Sequence, residues 1–221
     1  MTRRTSGGPW ADVTRLQQID ASIIGAHAHL TLADECYFFQ EYTSHRDYSF
    51  SKTNGLISNL KKKPSEHQRP GFQYKARAIA QCAGTLSQLL VPLWLTSGGV
   101  LVPVPPSKVL GHPDYDPRML TICKTATAAV PAPRCVRELV RQTGSTTAAH
   151  EGVRPTVQDL LGVYQINEAE AAPPPGALAI VDDVLTAGTH FRAMHTILGA
   201  RFPGVKIVGI FIARRVFPDD E

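Results

Sequence analysis

The chain has 221 residues, of which 43% are hydrophobic and 19% are charged, and its net charge of +4 comes from 23 basic and 19 acidic residues. This length suits one substantial hydrophobic core, and no apolar run approaches the roughly 18 residues of a membrane span, so no membrane partner is expected. The small basic excess suits anionic small substrates and is too weak by itself to indicate a nucleic acid, which is not expected as a partner.

The first residues and the cysteines indicate the cellular setting. Residues 1–9 are polar and basic and predict a flexible tail. No apolar segment follows the arginines there, unlike in a secretory signal, so a cytoplasmic location is expected. The four cysteines are scattered without a C-x-x-C pair. They predict buried, reduced thiols rather than a zinc ribbon or a disulfide framework.

Residues 10–32 carry apolar side chains at helical spacing, which predicts one face of a helix. His27 and His29 flank Ala28 in this region. Two histidines at this spacing could ligate a metal from a strand, but no further ligands cluster with them, so a structural or exposed role is favoured. The apolar residues are Val13, Leu16, Ile19, Ile23 and Ile24.

Residues 36–60 are rich in aromatic side chains, which could stack on bases or sugars. Core packing around a small extra subdomain is the favoured interpretation. The lysines at positions 61–63 could steer an anionic substrate, although such a run is more often simply solvated. Apolar residues between Tyr74 and Leu90 then predict an amphipathic helix that packs on a sheet.

A short buried strand is predicted at residues 100–104, followed by Pro105, Pro106, Ser107 and Lys108. Ligand loops of an open α/β sheet gather at such carboxyl ends, so the lysine and the hydroxyl could hold a pyrophosphate. A rigid Pro-Pro turn with a surface lysine is an equally good interpretation. The Asp-Pro pair at residues 116–117 then predicts a helix start. Arg118 near this start could face the ligand side, although a surface position is the favoured interpretation.

The next part of the chain predicts a third strand at residues 135–140 and a long loop at residues 141–154. Loops of this length are often lids. His150 and Glu151 suggest a metalloprotease motif, but Arg154 stands where H-E-x-x-H requires its second histidine. Residues 160–166 predict an edge strand or a turn.

The most informative stretch begins at residue 177. Five apolar residues, 177–181, predict a strand buried on both faces of a parallel sheet. Asp182 and Asp183 follow at its carboxyl end, where successive side chains point to opposite sides. The turn at residues 186–189 then leads into a helix, and such a turn binds phosphate through its free N–H groups. The acids could instead merely cap the helix.

The composition of this turn favours a sugar phosphate. Thr186 and Thr189 add hydroxyl donors, and Gly188 permits close approach of a ligand. A nucleoside triphosphate is disfavoured because the chain contains neither G-x-x-x-x-G-K-[ST] nor G-x-G-x-x-G. A last buried strand is predicted at residues 205–213, which places Arg214 and Arg215 on the ligand side of the sheet.

Residues 178–192 closely resemble the 5-phosphoribosyl-1-pyrophosphate (PRPP) motif of type I phosphoribosyltransferases. The Thr-Ala-Gly-Thr turn followed by Arg192 is most similar to the orotate phosphoribosyltransferase form. The Val-Pro-Val-Pro run from Val102, with a basic residue after it, resembles the ComF-like subfamily. One departure is His190, because the family usually has a small residue there.

The resemblance covers residues 97–215 and implies an α/β fold of the type I phosphoribosyltransferase kind: an open, mainly parallel sheet flanked by helices, with an N-terminal hood. It divides the chain into a tail (1–9), a helical and aromatic extension or hood (10–96) and the core (97–221). Members of the fold commonly dimerise, so a homodimer is expected.

The resemblance also implies an activity, the Mg²⁺-dependent displacement of pyrophosphate from PRPP by a nitrogenous base or amine. A non-catalytic regulatory module that binds PRPP or a nucleotide is the alternative. Asp182 and Asp183 would bind the ribose hydroxyls, directly or through Mg²⁺. Basic residues of the 141–154 loop would close over pyrophosphate. The implied catalytic residues are Asp182, Asp183, Arg154 and His150, with Arg141 as a further loop candidate, and the implied substrate-binding residues are Val184, Leu185, Thr186, Ala187, Gly188, Thr189, Pro106, Ser107 and Lys108.

Overall fold

In the computed structural model, which describes residues 15–144 and 155–218, five strands form the main sheet. The sheet has the order β1-β2-β7-β6-β3, and every neighbouring pair is parallel except β1 with β2. The predicted strands at 100–104, 177–181 and 205–213 are confirmed as β3, β6 and β7. The strands are β1 (Gln17–Gln18), β2 (Glu35–Thr43), β3 (Gly99–Pro103), β6 (Ala177–Leu185) and β7 (Lys206–Val216).

Two further strands, β4 (Val140–Gln142) and β5 (Tyr164–Ile166), form a small antiparallel sheet. The third strand predicted at residues 135–140 does not form, and this segment makes only a short parallel bridge to the edge strand β3. Leu101 of β3 donates its N–H to the carbonyl of Cys135 (2.8 Å) and accepts one from Arg137 (3.0 Å). The chain then leaves the edge of the main sheet and pairs as β4 with β5.

Helices cover both faces of the main sheet. The helix predicted between Tyr74 and Leu90 is confirmed as α2, and the one predicted from residue 116 starts at Arg118. The helix predicted over residues 10–32 is wrong for its described part, which holds β1 and a 3-10 turn, because Ile19 hydrogen-bonds beside β2. The helices are α1 (Lys52–Leu60), α2 (Gln73–Leu89), α3 (Pro92–Thr96), α4 (Arg118–Ala126), α5 (Val157–Val163), α6 (Glu168–Ala171) and α7 (Thr189–Arg201).

The alternation of side chains along β6 separates two hydrophobic cores. Leu178 and Ile180 lie in the α7-side core, with α5 and α7. Ala179 and Val181 lie in the α2-side core, with α1, α2 and α4. A strand sandwiched in this way is apolar on both faces, which explains its unbroken hydrophobic run.

The aromatic segment of the predicted extension contributes to both cores. Phe38 of β2 is buried in the α7-side core and Phe39 in the α2-side core. The prediction of core packing is therefore confirmed for these two residues, whereas Tyr48 and Phe50 are exposed. The predicted extra subdomain is wrong for β2, which belongs to the main sheet and pairs with β7. The boundary drawn at residue 97 stays a prediction.

The architecture is α/β, with a mostly parallel sheet between two layers of helices, as predicted. The carboxyl ends of β2, β3, β6 and β7 lie along one edge of the sheet. No helix within residues 15–144 and 155–218 is long and apolar enough to cross a membrane.

Candidate functional site

The turn between β6 and α7 has the geometry of an anion cradle. Gly188 precedes the first residue of α7 with φ +86°, a left-handed conformation that glycine adopts without strain. Within the described chain, no backbone N–H from Ala187 to Phe191 and no hydroxyl of Thr186 or Thr189 donates to a protein acceptor. Five free amides at a helix N-terminus are suited to a phosphate group.

Asp182 and Asp183 point to opposite faces of β6, as predicted from strand alternation. Asp183 faces the helices α1 and α4 and is 4% exposed. Its Oδ1 lies 3.1 Å from Lys61 Nζ, and its Oδ2 accepts from Arg118 Nη2 (2.6 Å) and Nε (3.1 Å). Both oxygens of Asp183 are therefore engaged by cations.

These contacts belong to a chain of alternating charges that continues into the protein. Arg118 also donates to Asp116 (2.8 Å), and Asp116 accepts from Lys75 (2.7 Å). The favoured surface position of Arg118 is wrong, because its guanidinium joins two buried carboxylates, and its position beside Asp183 agrees with the ligand-side alternative. Lys61 is half-exposed and pairs with Asp183, so it is more than a solvated lysine. With both carboxylates ionised, this network of five charged side chains carries one net positive charge. Its members, in order of contact, are Lys75, Asp116, Arg118, Asp183 and Lys61.

The two neighbouring acids differ in protonation. Burial, and then the charge of Asp183, raises the pKa of Asp182 to about 7. Burial alone would also raise the pKa of Asp183, but Lys61 and Arg118 outweigh it and hold that pKa well below its usual range. Asp183 is therefore ionised, while Asp182 exchanges a proton near neutral pH.

His190, in the first turn of α7, faces the side of Asp182. Its Nδ1 lies 2.7 Å from the hydroxyl of Tyr164 in β5, and burial lowers the pKa of His190. Asp182 lies close enough to influence the same tyrosine. Burial raises the pKa of Tyr164, and the negative charge of Asp182 raises it further. The ring of His190 is thus directed towards β5.

Two cavities connect the acids with the predicted pyrophosphate loop. One of about 230 Å³ is lined by both acids, His190, Ser107 and Arg118, among others. The other, of about 630 Å³, shares Lys61, Pro106, Ser107, Asp116 and Arg118 with it and adds mainly basic side chains. The structure therefore brings residues 106–108, Asp182 and Asp183 together at one site. The titratable residues that the larger cavity adds are Lys63, Lys108, His112 and Asp114.

Several predicted residues lie elsewhere. Val184 and Leu185 are buried in the α2-side and α7-side cores, so only their backbone atoms could meet a substrate. Arg214 pairs with Glu41 (2.5 Å) and lies over the Phe38 ring, away from both cavities. Arg141 lines a separate cavity of about 480 Å³ with Lys108. His150 and Arg154 lie outside the described residues.

Asp182 is the acid that fits Mg²⁺. This ion usually binds one or two carboxylates and keeps further sites for water and substrate oxygens. The Oδ1 of Asp182 accepts one backbone N–H, from Asp183 (2.8 Å), and the side chain lines the smaller cavity. Asp183 does not fit the role of a Mg²⁺ ligand while Lys61 and Arg118 contact its two carboxylate oxygens. No group of three or more His, Cys, Asp or Glu residues in the described ranges could hold a metal ion.

No protein-family model matches this chain. No curated protein matches it significantly either. The assignment of a function therefore depends on the site itself.

Sequence reasoning missed the ion network, although one signal for it is visible. Lys75 lies three residues before Ala78 and four before Ile79, on the apolar face of α2. A lysine in that position must find an acid or bury an unpaired charge. The identity of the acid, Asp116, depends on contacts between distant segments, which the sequence pattern does not give.

Proposed function

We propose that this chain is a cytoplasmic phosphoribosyltransferase of the type I fold. It would bind PRPP and transfer the phosphoribosyl group to or from a nitrogenous base or amine. The observation that supports this best is the row of unbonded amides at residues 187–191, which leads through His190 into a cavity lined by two acids and by cations. The amides suit a phosphate, the acids suit the hydroxyls of a sugar, and the cations suit a diphosphate.

Each part of PRPP has a suitable partner. The free amides and the hydroxyls of Thr186 and Thr189 would hold the 5-phosphate. Asp182 lies next to this turn in the chain and would accept from a ribose hydroxyl. Lys61, Lys108 and Arg118 line the larger cavity and would neutralise the pyrophosphate. Mg²⁺, held by Asp182, would add positive charge at the pyrophosphate oxygens.

The charges also suit the reaction. The bond from C1 to the pyrophosphate oxygen breaks, the electron pair leaves with pyrophosphate, and the nitrogen of the acceptor forms the new bond to C1. Fixed cations around the leaving group favour this charge separation. The acceptor nitrogen then gives up its proton to water or to an oxygen of the departing pyrophosphate.

One observation favours a second function, a regulatory module that binds PRPP without turnover. Both oxygens of Asp183 are held by Lys61 and Arg118. An acid occupied in this way stabilises the fold and leaves little capacity for a ribose hydroxyl. In such a module PRPP would bind at the turn of residues 186–189, here called the phosphate turn, and pyrophosphate would not be released.

The test combines calorimetry with a pyrophosphate assay. We expect the wild-type chain to bind PRPP in the presence of Mg²⁺ and to release pyrophosphate with at least one member of a panel of bases and amines. Thr189→Val should weaken PRPP binding about fivefold to tenfold, because it removes one hydrogen-bond donor without creating a cavity. Asp182→Asn should lower the release rate about a hundredfold with a smaller change in binding.

The matched control is Thr196→Val, on an exposed part of the same helix, which should leave PRPP binding unchanged. Binding without release, whichever acceptor is supplied, would favour the regulatory module. A wild-type chain that does not bind PRPP would refute both functions.

A further inference from the structure

The segment from His27 to Asp34 lies directly against the phosphate turn. The ring of His27 is 1% exposed, and its Nδ1 lies 2.5 Å from the carbonyl oxygen of Thr186. The backbone N–H of His29 donates to the carbonyl of Ala187 (2.8 Å). Two consecutive carbonyls of the turn are therefore held by this segment.

The same segment is attached to α7. The Nε of Arg192 donates to the carbonyl of His29 (3.0 Å), and its guanidinium pairs with the carboxylate of Asp34. Leu30 packs over the turn, since a Cβ added to Gly188 would lie 3.2 Å from Leu30 Cδ2. The segment thus contacts the turn on the side opposite to its free amides.

The contact of His27 defines its tautomer. A carbonyl oxygen can only accept a hydrogen bond, so Nδ1 carries the proton and Nε2 presents a lone pair. Nε2 is buried and has no hydrogen-bond partner within the described residues. Burial lowers the pKa of His27, and the charges of Arg214 and Arg215 lower it further. The ring is therefore neutral and acts as a single donor.

Peptide planarity connects these contacts to the ligand. In a trans peptide, the C=O of one residue and the N–H of the next point in opposite directions. The carbonyl of Thr186 shares its peptide with the N–H of Ala187, and the carbonyl of Ala187 shares its peptide with the N–H of Gly188. Holding both carbonyls from behind therefore directs both amides outwards.

We propose that His27 is a positioning residue of the phosphate site, whose neutral ring holds the Thr186 carbonyl so that the Ala187 amide faces the ligand. The backbone of His29 does the same for the Gly188 amide. The inference rests on the proposed function in one respect, namely that the ligand at this turn is the 5-phosphate of a ribose. The orientation of the turn itself is independent of the ligand.

The first experiment compares His27→Leu, which removes the donor, with His27→Asn, whose amide can donate from a position close to that of Nδ1. Ribose 5-phosphate and pyrophosphate are titrated separately by calorimetry. We expect His27→Leu to weaken ribose 5-phosphate about tenfold and pyrophosphate by less than about twofold. His27→Asn should recover most of the lost affinity.

The outcomes separate the two proposals. Equal losses for both ligands, or no loss for ribose 5-phosphate, would overturn the role of His27. Failure of the wild-type chain to bind ribose 5-phosphate counts against the proposed function instead, and a second measurement then tests the turn. Nitrogen NMR shifts of the His27 ring at neutral pH should show a proton on Nδ1 and none on Nε2, and the Ala187 amide signal should move in His27→Leu. A ring protonated on Nε2, or an unmoved Ala187 signal, would refute the inference.

Discussion

Asp182 and Asp183 are consecutive residues of one strand, yet their carboxyls meet different surroundings. Strand alternation turns Asp183 towards Lys61 and Arg118 and turns Asp182 towards the side of Tyr164 and His190. Cations favour an ionised carboxylate, whereas burial beside a second acid favours a protonated one. Two carboxyls with different pKa values can have different roles in a site: one stays ionised, and the other binds or releases a proton near neutral pH.

The raised pKa of Asp182 makes the stability of the chain depend on pH. In the unfolded chain this acid titrates near 3.8, and in the folded chain near 7, so the folded state binds the extra proton between these values. The stabilisation from this proton is complete below about pH 4 and is lost as the pH rises through 7. Each pH unit between these values costs the wild type about 1.4 kcal/mol, so we expect Asp182→Asn to be more stable than the wild type by roughly 4 kcal/mol at pH 8 and by under about 2 kcal/mol at pH 5.

Urea unfolding at both pH values measures this difference. The control is Asp159→Asn, whose carboxylate is exposed and has a pKa lowered by hydrogen bonds from Thr156. Its contribution is present above about pH 4, so this variant should lose the same stability at pH 5 and at pH 8. An Asp182→Asn variant with the same stability difference at both pH values would contradict the assigned pKa.

At the scale of elements, Lys75 connects three parts of the chain. Its ammonium donates to the carbonyls of Leu60 (2.6 Å) and Lys62 (2.8 Å), at the end of α1, and to Asp116 (2.7 Å), just before α4. All three of its protons are used. Lys61 follows directly on α1, so the position of α1 also sets where Lys61 meets Asp183.

We expect Lys75→Met to lower the free energy of unfolding by about 3 to 5 kcal/mol, because it leaves two buried carbonyls and one side of a buried carboxylate without a donor. Lys63→Met, which changes an exposed lysine nearby, should have an effect below about 0.5 kcal/mol. Denaturant titration followed by circular dichroism compares the two variants. Similar small effects would show that the Lys75 pair contributes little to stability.

The helices and strands that the sequence predicted well are those with long periodic patterns. The bounds of α2, from Gln73 to Leu89, follow from apolar residues on one face, and β6 follows from its unbroken apolar run. The segment before residue 32 was mispredicted because its isoleucines, spaced like a helix face, pack on the α7-side core from irregular structure. Periodicity reports which residues are buried and leaves the backbone conformation open in short segments.

At the scale of the whole molecule, the sheet order could not be derived from local patterns. β2 lies next to β7, although some 160 residues separate them in the chain, and their register pairs Phe38 with Phe211. The site shares this property, since Lys61, Arg118 and Asp183 come from three distant segments. Sequence alone located the proposed phosphate turn and the acids, which lie within one short stretch, but not the cations that surround the acids.

The same sheet order leads to a prediction about residues 97–221. Without β2, the edge of β7 would expose its backbone groups, and without α1 and α2, the α2-side core would lose Leu60, Cys82 and Leu86. We therefore expect a fragment of residues 97–221 to lack a cooperative unfolding transition, since a core open on one face does not offset the entropy of folding. A variant that begins at residue 15 keeps every described contact and should unfold in one transition. Thermal unfolding followed by circular dichroism distinguishes these cases, and a fragment of residues 97–221 that melts cooperatively would show that β2, α1 and α2 are an accessory layer on an independent core.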